Sequence, residues 1–161
     1  MRNLTISIGA TLLLLAVVAT GALAGKKPAP VAFTGTYSGT ATTQQSDQTV
    51  TINANGTGSG TLIGAGKIVG NGIGSTASQP CVPFTGPGSM SGPGGSISFK
   101  VIAGSQGCGD QQGESFTVSG KATVTSATGK LAGRKGLLRF TGTYDRTSGA
   151  FTAKFRGSLT K

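Results

Sequence analysis

The stretch LLRFTGTYDRTSGAFTAKFRGSLT, residues 137–160, decides the fold class. Leu138, Phe140 and Tyr144 alternate with polar neighbours, and beyond the turn Asp145–Gly149 the alternation resumes with Phe151 and Phe155. A period of two is typical of a strand with one buried face. Asp favours the start of a turn, and Gly supplies the positive φ at its end. The stretch therefore predicts an amphipathic β-hairpin with an apolar inner face and a cationic outer face.

The outer face of this hairpin carries Arg139, Lys154 and Arg156, which form a candidate anion-binding face. The whole chain has 14 Lys and Arg against 4 Asp and Glu, a formal net charge of +10. Such an excess favours an anionic partner, for example an envelope phospholipid or wall polymer, although it also serves solubility alone. Nucleic acid is disfavoured, because the aromatic residues fall on predicted inward faces, where they cannot stack on bases.

The same two-residue alternation extends upstream. Phe33-Thr34-Gly35-Thr36-Tyr37 recurs as residues 140–144, and its aromatic residues share one face. We expect Phe33, Tyr37, Phe140, Tyr144 and Phe155 to line the interior. Scattered glycines within strand patterns suit the bends of tightly coiled strands. The chain is therefore expected to be all-β, an antiparallel β-barrel of about eight strands, with a β-sandwich as the alternative.

Two further segments carry turn and loop signals. Asn55-Gly56 is a strong signal for a two-residue hairpin turn. The segment 70–95 is rich in Gly, Pro and Ser, and we expect it to form a long surface excursion that holds Cys81.

The N-terminus has the pattern of an export signal. A basic start at Arg2 precedes the uncharged apolar run 4–24, which closes on Ala22-Leu23-Ala24. This pattern predicts a signal peptide over residues 1–24 that is cleaved after Ala24, a short linker over 25–30 and one barrel domain over 31–161. The protein would then be secreted or periplasmic, with no membrane span in the mature chain. The alternative is an uncleaved anchor, because the run is just long enough to cross a bilayer.

Cys81 and Cys108 are the two cysteines of the chain. Export to an oxidising compartment and an even count predict a disulfide between them. A reactive thiol is the alternative, but Asp110 beside Cys108 would raise rather than lower a thiol pKa.

Composition narrows the chemistry. The chain has no His and no Trp, which removes Ser-His-Asp catalysis and His-built metal sites. Asp110 and Glu114 are the clustered carboxylates, and a solvated polar loop explains them better than an acid–base pair. The sequence therefore predicts no catalytic residue, no metal and no cofactor.

Residues 128–136, Thr-Gly-Lys-Leu-Ala-Gly-Arg-Lys-Gly, stand directly before a predicted strand. This segment resembles the "GTGxFxGAxG" segment of dirigent proteins and allene oxide cyclase-like barrels. The resemblance covers about residues 126–160 and implies an eight-stranded antiparallel barrel, often with an apolar cavity. It transfers no active site, because the polar pocket residues of that superfamily have no counterparts here.

Three functional hypotheses follow. The first is an exported, non-enzymatic barrel that binds a small apolar ligand in its interior. The second is a cationic module that binds an anionic envelope polymer or surface through Arg139, Lys154 and Arg156. The third is a cofactor-free barrel enzyme of the dirigent or cyclase kind, for which Tyr37, Tyr144 and Glu114 are the candidate polar groups. The missing His favours a binder over a catalyst.

Overall fold

The computed structural model describes residues 28–78 and 80–161. The predicted signal peptide and its cleavage point lie outside the described residues. Within these residues, nine strands and two short 3-10 helices follow one another. The strands are β1 Val31–Ser46, β2 Thr49–Gly60, β3 Gly64–Ser75, β4 Cys81–Gly92, β5 Gly95–Val101, β6 Gln106–Gly109, β7 Ser115–Ala127, β8 Lys135–Asp145 and β9 Ala150–Thr160. The 3-10 helices are Thr76–Ser78 and Gly129–Leu131.

All strand pairings are antiparallel, and the sheet closes on itself. Strands β1 to β5 pair in chain order, β7 follows β5, β8 and β9 come next, and β9 pairs back with β1. The short β6 lies in line with β5, between β4 and β7. The result is a closed up-and-down barrel of eight strands with one extra strand. This confirms the predicted barrel, and the sandwich alternative is wrong, because closure pairs the two edges that a sandwich would leave open.

A buried serine bridges the break between β5 and β6. The Ser105 hydroxyl donates to the Ile102 carbonyl oxygen at 2.8 Å and accepts from the Lys121 backbone N–H at 3.1 Å. The Ser105 carbonyl oxygen accepts from the Phe84 N–H at 3.0 Å. The loop therefore bonds to both neighbouring strands, and β6 resumes the position that β5 leaves.

The hairpin turn predicted at Asn55-Gly56 is wrong. Both residues lie inside β2, where Asn55 pairs with Thr40 and Gly56 with Gly39. Gly56 faces inward, and a Cβ added there would lie 3.0 Å from the Phe151 ring. Close approach inside the barrel, rather than a turn, accounts for this glycine.

The surface excursion predicted for residues 70–95 is wrong as well. The segment contains the second half of β3 and the whole of β4, the two strands that close the barrel. Its glycines take inward positions in alternation with outward side chains such as Asn71 and Ile73. Chain that reads as a loop by composition is therefore strand by its period of two.

The barrel has two unlike ends, which we call the mouth and the base. Turns 47–48 and 146–149, the 3-10 helix Thr76–Ser78 and the loop 110–114 surround the mouth. Turns 61–63 and 93–94 and the connection 128–134 close the base. At the base the Gly94 N–H donates to Ile63 O at 2.8 Å, and the Lys130 N–H donates to Gly94 O at 2.9 Å. These bonds hold three turns together across the barrel end.

The hydrophobic core fills the base half. Its buried members are Phe33, Tyr37, Ile63, Met90, Ile97, Ala122, Val124, Leu131, Leu138 and Leu159. Interior glycines make room for the aromatic rings: a Cβ on Gly58 would lie 2.6 Å from Cδ1 of Tyr37. An eight-stranded barrel is just wide enough for side chains to fill its interior. In the base half they do so.

The predicted disulfide between Cys81 and Cys108 is confirmed. The two residues are direct partners on β4 and β6, with Cα atoms 3.9 Å apart. The bond ties the short β6 to β4 at the mouth, on the far side of the break in the strand. A cross-link over 27 residues limits the unfolded chain and stabilises the fold by about 3–4 kcal/mol in the chain-entropy treatment.

Candidate functional site

An open, apolar cavity of about 260 Å³ occupies the mouth half of the barrel. All nine described strands contribute to its wall. The side chains facing it are mainly aliphatic and aromatic, and include Val50, Ile52, Ala54, Val82, Phe84, Val101, Phe116, Val118, Phe151 and Ala153. The interior that is packed solid near the base is therefore left unfilled near the mouth.

An aromatic cluster forms the floor of the cavity. The Phe155 ring lies 5.7 Å, centre to centre, from the rings of both Phe99 and Phe140. Beneath the floor, Tyr37 meets Phe155 edge to face at 6.2 Å. Tilted and edge-to-face pairs at these separations are favourable arrangements for aromatic rings. The floor is an apolar surface whose three phenylalanines also belong to the buried core.

The rim of the cavity carries its polar groups. The Tyr144 hydroxyl lies 3.4 Å from the Thr43 hydroxyl, and the Tyr144 ring packs 6.1 Å from Phe116. Gln45 and Arg146, both exposed, mark the opening. Among the described lining residues, Arg146 is the one charged side chain and no carboxylate is present. The lining suits an apolar molecule with a single polar end directed outward.

The structure divides the five predicted interior residues between the two halves. Phe140, Tyr144 and Phe155 line the cavity. Phe33 and Tyr37 lie in the packed base instead. The difference arises because β1 begins at the base, so its first inward positions fall below the floor.

Tyr37 does not present its polar group to the cavity. Its side chain is 1% exposed, and its hydroxyl has no hydrogen-bond partner among the described residues. Burial raises the pKa of the Tyr37 phenol, because the phenolate would lose its hydration. The group is therefore a neutral member of the core.

The Asp110 carboxylate stabilises the loop 110–114 through hydrogen bonds to its backbone. The Asp110 carboxylate accepts from the backbone N–H groups of Glu114 at 3.0 Å and Ser115 at 3.3 Å. Glu114 is exposed and does not line the cavity. No cluster of three or more potential metal ligands occurs within the described residues. The Asp110 carboxylate therefore stabilises this polar turn, and the exposed Glu114 side chain lies outside the cavity.

Strand register brings the candidate anion-binding residues together and adds a fourth. Lys121 on β7 pairs with Arg139 on β8, which pairs with Arg156 on β9. Lys154 lies two residues from Arg156 on the same outward face. These four side chains border a shallow groove of about 550 Å³ on the outer wall. Lys121 could not be identified from the sequence, because its place in the row depends on the register of β7.

Charge is segregated along the barrel axis. All four carboxylates of the chain, Asp47, Asp110, Glu114 and Asp145, lie at the mouth. Asp145 accepts from the Ser148 N–H at 2.7 Å, and this bond is the main reason that its pKa is lowered. Every charged side chain on the outer wall of β7 to β9 below the mouth is a cation. The cationic row therefore has no neighbouring carboxylate to neutralise it.

Comparisons with protein-family models, with curated proteins and with solved structures found no match for this chain. The described residues contain no helix of the length and hydropathy that crossing a bilayer requires.

Proposed function

We propose that this protein is an exported, non-enzymatic barrel that binds a small apolar molecule in the mouth half of its interior. The observation that carries the proposal is the open cavity of about 260 Å³ between the phenylalanine floor and the mouth. An eight-stranded barrel either fills its interior with side chains or holds one small ligand. This chain does the first at the base and leaves room for the second at the mouth.

The size of the cavity limits the ligand. An engineered cavity of about 150 Å³ binds benzene, and sites for drug-sized molecules begin at about 300 Å³. A volume of 260 Å³ therefore suits a molecule of two or three rings or a short acyl chain. The rings of Phe99, Phe140 and Phe155 offer it flat apolar surfaces.

The polar groups at the cavity support binding better than catalysis. General acid–base chemistry needs a side chain of suitable pKa within hydrogen-bond reach of the proton that is transferred. Tyr144 is the one phenol in the described lining, and its partner is the neutral Thr43 hydroxyl. Tyr144 and Arg146 would instead orient a polar end of the ligand at the rim. Export is supported by the apolar run 4–24 and by the disulfide, which an oxidising compartment maintains.

The test uses N-phenyl-1-naphthylamine, a neutral probe whose fluorescence rises in apolar surroundings. We expect the purified protein to bind it with a Kd in the micromolar range. Ala153→Phe fills the cavity from β9 and should weaken binding by about tenfold or more. Ala150→Phe makes the same change on the outward face of the same strand and should leave binding unchanged.

Circular dichroism and thermal unfolding establish that both variants retain the barrel. Equal probe binding by the Ala153→Phe and Ala150→Phe proteins, with both folded, would contradict the proposed site. So would the absence of any saturable binding by the unaltered protein.

A further inference from the structure

We propose that the outer wall of β7, β8 and β9 docks on an anionic phospholipid surface. The wall is defined by Lys121, Lys135, Leu137, Arg139, Lys154 and Arg156, and we call it the basic wall. This inference concerns the outside of the barrel and does not depend on a ligand in the cavity.

Cations are arranged in a continuous row on the basic wall. Lys121, Arg139 and Arg156 form one row across three adjacent strands, each directly opposite the next. Like charges in direct cross-strand register destabilise a sheet unless something screens them. The carboxylates of the chain lie at the mouth, too far away to do so. A layer of phosphate groups supplies the missing counter-charge along the whole row.

An exposed leucine lies among the cations of the basic wall. Leu137 faces outward between Lys135 and Arg139 on β8 and is 41% exposed. Its cross-strand partners are Ser158 and Thr123, both small and polar, so its side chain stands clear of the wall. An apolar side chain ringed by cations matches the layered chemistry of a membrane interface, with acyl carbon below anionic headgroups. A dissolved polyanion binds cations mainly through its backbone charges and has no continuous apolar layer in which the leucine could be buried.

The chain that precedes β1 is held at the base of the barrel. The Arg134 guanidinium donates to the carbonyl oxygens of Ala29 at 3.0 Å and Leu159 at 3.2 Å. These bonds fix the start of the described chain at the base. The lower part of the basic wall lies at the same end. Docking there directs the acidic mouth away from the anionic surface and leaves the cavity accessible.

The test compares vesicles of phosphatidylcholine with and without phosphatidylglycerol. The protein is purified after export, and its N-terminus is read by mass spectrometry so that all variants share it. We expect binding to the vesicles that contain phosphatidylglycerol and little to the others. Arg139→Gln should weaken that binding about fivefold, the effect of one cation near an anionic bilayer. Lys67→Gln, on the diametrically opposite strand β3, should have little effect.

Leu137→Ser separates a membrane from a soluble polyanion. It should weaken vesicle binding by about fivefold or more while leaving binding to single-stranded RNA unchanged. Val69→Ser is the matched control, because Val69 is 39% exposed on the outward face of β3. Thermal unfolding checks that each variant is folded.

Two results would overturn the proposal. One is vesicle binding that neither Arg139→Gln nor Leu137→Ser weakens. The other combines two observations: Arg139→Gln weakens RNA binding, and Leu137→Ser leaves vesicle binding unchanged. That combination would identify the basic wall as a site for soluble polyanions.

Discussion

The Tyr37 hydroxyl is the clearest imperfection in the packed half of the barrel. It lies among apolar side chains, and the described residues give it no hydrogen-bond partner. Leaving a buried polar group unpaired costs about 1–3 kcal/mol. The ring itself is well used, because it covers Gly58 and meets Phe155 edge to face. The contribution of the residue to stability therefore comes from its ring.

We expect Tyr37→Phe to raise the free energy of unfolding by about 1 kcal/mol at neutral pH. The two proteins should also differ at high pH. Burial raises the pKa of Tyr37 above its ordinary value of 10.0, so the folded state favours the neutral phenol. The preference of the folded state for the neutral phenol therefore leaves stability unaffected by pH below pH 10.0. Stability falls as pH rises from there through the folded pKa, because the unfolded state loses the proton first.

Urea unfolding between pH 7 and pH 11 measures both effects. The unaltered protein should lose stability above about pH 10, and the Tyr37→Phe protein should lose less. A Tyr37→Phe protein that is clearly less stable at neutral pH would show that the hydroxyl has a partner after all.

At the scale of the strands, individual inward glycines differ in the room that surrounds them. In the base half, a Cβ on Gly58 would meet the backbone and ring of Tyr37 at 2.6 Å. In the mouth half, the nearest atom to a Cβ on Gly70 is the Ala54 Cβ at 4.0 Å. The first glycine is required by close packing, whereas the second borders empty space.

We expect Gly58→Ala to lower the free energy of unfolding by about 1–3 kcal/mol, because the barrel must shift to admit the methyl group. Gly70→Ala should be neutral or stabilising, since it restricts the unfolded chain without a clash. Chemical denaturation of the two variants measures the difference. Equal destabilisation by both substitutions would contradict the division into a packed base and an open mouth.

The strands also show how far the sequence alone can lead. The terminal hairpin was predictable because Phe140, Phe155 and Leu159 alternate cleanly with polar residues. The second half of β3 and the whole of β4 were missed because their inward positions are mostly glycine, which composition assigns to loops. The signal was nevertheless present in Gly70-Asn71-Gly72-Ile73-Gly74, which has the period of two of a strand.

The candidate site was only partly predictable for a related reason. Alternation shows which side chains point inward but not how high each lies along the barrel axis. That height depends on register and shear, which placed Phe33 in the core and Phe155 at the cavity floor. The same limit hid Lys121, whose place beside Arg139 follows from the pairing of β7 with β8.

The whole molecule combines two asymmetries along one axis. The interior is packed at the base and open at the mouth, and the charges are cationic on the lower wall and acidic at the mouth. The disulfide and the turns at the mouth hold the rim, and the hydrogen-bonded turns at the base close the other end. The result is a barrel that is closed at the base and that opens at the mouth into the apolar cavity.

We propose above that this barrel binds its ligand in the mouth half of its interior. A titration with N-phenyl-1-naphthylamine, followed by the methyl NMR signals of valine and leucine, tests it most directly. We expect the signals of Val50, Val82 and Val118 to shift in a saturable way, because these residues line the cavity. Those of Val124, Leu138 and Leu159, in the packed base, should stay in place. Saturable shifts confined to the base or to the outer wall, or none at all, would contradict the account.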